Sequence, residues 1–171
     1  MFAPLNVRKD GTVVFAAPAG KGRAPLTALD DIAFWVRKSF DNPETMTGKD
    51  LEIVSDIVDW PTIVETFTRV TGRPAVYKDL TEDEFFDLFE NADLTAATLA
   101  VRPAGSWRKV FGAFFAIFRD DIVKRDIEWV KSIHPNTLSL EQWMRDTHYD
   151  GSYQALLKLV GAYQLLALEA T

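Results

Sequence analysis

The chain has 171 residues, 47% of them hydrophobic and 26% charged, with a formal net charge of -6. That length suits one domain burying roughly 70% of its unfolded surface, and the composition excludes disordered and fibrous classes. The acidic balance argues against nonspecific nucleic-acid or anionic-membrane binding, which need clustered Lys and Arg, and the absence of cysteine removes disulfide frameworks, thiolate nucleophiles and thiolate metal sites.

In chain order, Asp10-Gly11 is a turn signal that launches a short β-branched and aromatic strand, Thr12 to Ala16, ended by Pro18. Ala19-Gly20-Lys21-Gly22-Arg23 gathers glycines and cations, but Ala24-Pro25-Leu26 stand between it and the next helix. A Walker loop must end directly on a helix, so a surface loop is the expectation. Thr27 is the expected cap of a helix over Ala28 to Phe40, with Asp30 and Asp31 in the first turn and Ile32, Phe34, Trp35 and Val36 as the apolar face. Asn42-Pro43 ends it. Lys49 to Ser55 then reads as a strand with Leu51 and Ile53 on one face.

Asp59 and Pro61 start a second helix whose stripe is Ile63, Val64, Phe67 and Val70, and Gly72 stops it. A strand follows at Ala75 to Lys78. Thr81 and Glu84 form a capping box for a short helix carrying Phe85, Phe86, Leu88 and Phe89, after which residues 92–105 form a connection. Ser106 caps the strongest helical pattern in the chain: Trp107, Val110, Phe111, Phe114, Phe115, Phe118 and Ile122, running on through Trp129 to Ile133, with Asp120 and Lys124 paired outside. His134-Pro135 closes it. Ser139 and Gln142 open another helix, Asp150-Gly151-Ser152 is a turn, and Leu156 to Leu166 read as a final helix. The expected architecture is α+β in a single domain: a small sheet of about three strands flanked by helices in residues 1–91, then a mainly helical portion from residue 106 onward.

Residue chemistry declares no reaction. The two histidines, His134 and His148, sit beside turns with no metal-ligand spacing, so no metal site is expected. His134 is the first candidate for acid/base work because imidazole titrates near neutrality; Asp31 and Tyr77 are the others. Each has a plain structural alternative: a helix-terminal residue, a first-turn anion and a strand residue. Tyr77 and Lys78 are adjacent in a strand and point to opposite sides, and Tyr153 and Lys158 lie five apart, so neither makes a reductase pair at four-residue helical spacing. There is no Gly-x-Ser-x-Gly elbow and no Gly-x-Gly-x-x-Gly after a strand, so no cofactor is expected. The chain start lacks a signal-peptide pattern and no apolar run is long enough to span a bilayer, which makes a cytoplasmic protein the expectation.

Several segments in order carry a family resemblance: Asp10 to Ala19, Arg23 to Ala33, Gly48 to Asp56, Trp60 to Pro74, and later Ile133-His-Pro-Asn with Glu141-Gln-Trp-Met-Arg. Together they resemble the C-terminal half of NmrA-like proteins, atypical short-chain dehydrogenase/reductases that act as NAD(P)-dependent reductases or bind nucleotide as regulators. The resemblance implies a substrate-side lobe without the Rossmann half that precedes it in full members. Strands deprived of that half expose edges, so a homodimer or a nucleotide-binding partner chain is expected. The leading expectation is a shortened NmrA-like protein of secondary-metabolism type that binds a small apolar or aromatic molecule without redox turnover. Trp107, Phe111 and Phe115, with Arg23, are the candidate ligand residues, and a packed core is the alternative for each ring. Other expectations are a cofactor-free isomerase, cyclase or dehydratase of fungal secondary metabolism, a regulatory or interaction module, or half of an NAD(P)-dependent reductase.

Overall fold

A computed structural model of the chain describes residues 4–94 and 105–152. Five strands and seven helices alternate through these residues in an α+β arrangement. β1 (Asn6–Val7) and β2 (Val13–Ala17) form an antiparallel hairpin about the Asp10-Gly11 turn. β3 (Arg23–Leu26) leads to α1 (Leu29–Asp41), the short α2 (Pro43–Met46), β4 (Asp56–Asp59), α3 (Trp60–Thr71) and β5 (Ala75–Asp79). β5 returns parallel to β2, completing a sheet of order β1-β2-β5, while β3 and β4 make a separate antiparallel pair. The chain then carries α4 (Glu82–Phe86), α5 (Trp107–Arg119), α6 (Ile127–Ile133) and α7 (Leu140–Asp146).

β2 is the middle strand, paired on both edges, and four of its five residues are buried, with Val13, Phe15 and Ala17 turned into the main core. Local signals set most helix ends. The Asp59 carboxylate accepts the Thr62 N–H at 2.8 Å, Pro61 occupies the first turn of α3, and Gly72 ends it at φ +71° with its N–H on the Thr68 carbonyl. Thr81 and Glu84 form the expected reciprocal capping box, and Ser106 caps α5. Ser139 caps α7 by accepting the Gln142 N–H, but Gln142 turns its amide to Asp146 rather than back to the cap. The main core lies between the three-stranded sheet, α3, α5 and α7, around Val13, Phe15, Ile63, Phe67 and Met144.

Five expectations are corrected. The strand over Lys49 to Ser55 is an irregular segment: Leu51, Ile53 and Val54 pack on Trp35 and Val130, and ladder pairing starts only at Asp56. Arg23 to Leu26, expected as loop, is a strand; a two-stranded ribbon has only edges, where Pro25 is tolerated. Thr27 does not cap α1. Ala28 holds that position, and its N–H donates to the Ser55 hydroxyl at 2.8 Å. The expected apolar face of α1 holds only in part: Trp35 is buried with Phe34 packed beside it, but Asp31 is buried there too, whereas Ile32 and Val36 face outward.

The fifth correction concerns the long helix expected from Ser106 to Ile133. It stops at Arg119. Asp121 adopts φ +48°, its N–H reaches the Phe118 carbonyl and the Ile122 N–H reaches the Ile117 carbonyl, a Schellman stop with aspartate in the left-handed position. Arg23 reaches the Asp121 carboxylate at 3.2 Å, and Lys124, expected to pair with Asp120, pairs with Asp121 instead. α6 begins afresh with Asp126 capping the Trp129 N–H. The final helix expected at Leu156 to Leu166, and any structure between residues 95 and 104, lie outside the described residues.

Candidate functional site

Two of the sequence candidates meet. Asp31, in the first turn of α1, and His134, just past α6, are 103 positions apart, and His134 Nε2 lies 2.8 Å from Asp31 Oδ1. The imidazole stacks on Phe34 with ring centroids 3.8 Å apart and planes within 8°. The other carboxylate oxygen, Oδ2, accepts three hydrogen bonds: Ser55 hydroxyl at 2.5 Å, Thr137 hydroxyl at 2.9 Å and Leu138 N–H at 3.0 Å. Burial by itself pushes the Asp31 carboxyl up. The donors from Ser55, Leu138, His134 and Thr137 together outweigh it and hold the group below the usual carboxylate range.

Chemically, this cluster orients an imidazole. It is not a nucleophile triad, because Ser55 donates to the carboxylate rather than to His134. Asp31 has only 2% of its surface exposed, which leaves it a positioning group with no path to a substrate of its own. Ser55, Thr137 and Leu138 were not foreseen as its partners. A carboxylate four residues from a buried Trp on one helical face was the available signal, since such a group must find donors.

Tyr77 stands apart from this pair. Its hydroxyl lies 3.1 Å from the Ala17 carbonyl and 3.2 Å from Asp79 Oδ1, and burial together with the Asp79 charge pushes the phenol up. A phenol held protonated this firmly is a poor proton acceptor at neutral pH. Arg23 is engaged by Asp121. The three candidate ligand rings lie in one aromatic cluster with Phe85, Phe86 and Phe89: Trp107 is 5.1 Å from Phe86 and 5.0 Å from Phe111, and Phe115 is 5.2 Å from Phe85. Phe111 keeps 39% of its surface exposed at the edge of this cluster.

A cleft of about 410 Å3 opens elsewhere, between the end of α3 and the end of α7. Val70, Thr71, Met144 and Tyr149 supply its apolar and aromatic walls, and Arg73, Arg145, His148 and Asp150 its polar rim. Arg73 is fixed across it: the guanidinium donates to the Asp150 carbonyl at 2.6 Å and lies 5.9 Å from the Phe67 ring centre. Burial, with the charge of Asp150, pushes the Tyr149 hydroxyl up to about 12. No sequence signal pointed here, because residues 70–73 and 144–150 meet only after folding.

With this geometry in place, comparison with protein families gives a match to the NmrA-like family over residues 1–144. The chain belongs to that family. A search of curated proteins returns no match.

Among the described residues, no group of three His, Asp or Glu side chains could hold a metal ion, and no helix is long and apolar enough to cross a membrane. A dinucleotide pyrophosphate needs free backbone N–H groups in a glycine-rich turn. The loop at Ala19 to Arg23 does not fit: the Gly20 N–H already donates to Asp79 at 3.1 Å and the Gly22 N–H to the Ala19 carbonyl. A Cβ built at Gly22 would sit 2.0 Å from the Phe118 carbonyl oxygen, so α5 closes the loop's other side.

Proposed function

We propose that this NmrA-like chain binds a small apolar or aromatic molecule without redox turnover of its own. The observation that carries the reading is the cleft between α3 and α7: about 410 Å3 lined by Val70, Met144 and Tyr149 beside Arg73 and Arg145. Its size falls within the roughly 300–1,000 Å3 of small-molecule pockets, and the mixed lining suits an aromatic body with a polar substituent. Trp143 lies 5.4 Å from the Tyr149 ring, so indole fluorescence reports on occupancy.

Titration with anilinonaphthalene sulfonate, an aromatic anion, is expected to give saturable one-to-one binding that Val70→Trp abolishes by filling the cleft. Binding that Val70→Trp leaves unchanged would remove the cleft from the proposal. NADPH is expected to leave the fluorescence unaltered; saturable submillimolar quenching would restore the reductase reading.

A second reading, a cofactor-free isomerase, cyclase or dehydratase, is favoured by one observation: the 2.8 Å contact through which Asp31 orients His134. His134 would be the proton carrier and Asp31 its positioning group. Full retention of a demonstrated activity in His134→Ala would eliminate it.

A further inference from the structure

We propose that α1 is the contact helix of a two-fold symmetric homodimer, packed antiparallel against α1 of a second copy. The outer side of this helix carries Leu29, Ile32, Val36 and Phe40, exposed to 72%, 37%, 50% and 81%. Their spacing of three, four and four residues places all four on one side of an α-helix. A continuous apolar stripe of this kind, apart from the core, marks an interaction surface rather than scattered surface residues.

The stripe is complementary to itself. When two copies cross antiparallel about an axis near Phe34, Leu29 faces the partner's Phe40 and Ile32 faces the partner's Val36, which is the isologous arrangement a two-fold requires. The charges beside the stripe obey the same symmetry. Asp30 and Arg37 are seven residues apart, so they flank the stripe on one side within about 20° of each other. Antiparallel crossing brings Arg37 opposite the partner's Asp30, and Ala33 between them lets the helices approach. Arg37 is 85% exposed and holds only the equally outward Asp41, at 3.3 Å, so it is open to a second carboxylate. A parallel pairing would put the Asp30 and Arg37 flanks of the two copies on opposite sides of the seam, where neither meets an opposite charge. The charge pattern therefore selects the antiparallel second copy.

Sedimentation equilibrium on the 171-residue chain from about 5 to 100 µM tests this. A dimer is expected. Val36→Glu should return it to monomer with an unchanged circular dichroism spectrum, because Val36 lies outside the core. Arg37→Asp, which sets two carboxylates face to face, should raise the dimer Kd about tenfold or more, and the double exchange of Asp30→Arg with Arg37→Asp should restore it. A monomer throughout the range overturns the proposal, as does a dimer whose Kd neither single substitution changes. Failure of the double exchange to rescue overturns the antiparallel register. None of these readouts depends on ligand binding.

Discussion

Two regions of the molecule secure a helix in opposite ways. At α1, one carboxylate gathers Ser55, His134, Thr137 and Leu138, all far off in the sequence, and every donor needs that acceptor. At α5, Trp107 packs on Phe86 and Phe89, Phe115 on Phe85 and Phe86, and Phe111 joins through Trp107 and Phe114, so each ring has several neighbours. The first arrangement is directional and concentrated, the second nondirectional and distributed. Loss of a single atom group is therefore ruinous in one and graded in the other.

Asp31→Ala is the sharpest way to expose this contrast. It strands two hydroxyls, a backbone N–H and an imidazole in a dry site, and chemical denaturation is expected to show a loss of about 4 kcal/mol. Phe86→Ala, at a fully buried ring, should come close behind at about 3 kcal/mol, whereas Phe111→Ala, at the exposed edge, should cost about 1. Equal losses at the two rings would break the picture of a graded cluster.

Acid should separate the regions as well. The folded-state carboxyl of Asp31 lies below its ordinary value, so its contribution to stability is complete above that ordinary value and disappears as pH falls through the lower one. Asp31→Asn is expected to flatten the acid side of the stability profile, while Phe86→Ala shifts the whole profile down without changing its slope. The smallest effect is expected at Arg108, which pairs with Asp87 at 2.7 Å and Asp93 at 2.9 Å and lies over Phe86. These carboxylates are exposed, so Arg108→Met should lower the denaturation midpoint less than Phe111→Ala does in low salt, and less still in high salt.

What could be read in advance divides along the same line. Caps at Asp59, Thr81 and Ser106 and the stop at Gly72 were legible because each is settled within one helical turn. The break at Asp121 was not: the apolar period continues to Ile133, and one of the groups that holds the left-handed aspartate is Arg23, 98 positions earlier. Trp35 and Phe34 were rightly placed on the inward side of α1, but Ile32 and Val36 were misplaced there for a related reason. Ile32 and Val36 outrank Asp31 in hydrophobicity, and only distant donors make burial of the carboxylate favourable. Asp31 and His134 were each legible as titratable groups of interest, but their pairing was not, and the cleft left no trace in local pattern.

The position of the Asp31 cluster also bears on how this protein is made. Asp31 emerges from the ribosome more than a hundred residues before Thr137 and Leu138. Until they arrive, Ser55 is the one donor of the cluster already made, so the first turn of α1 gains its full set of partners only when residues 134–138 have been added.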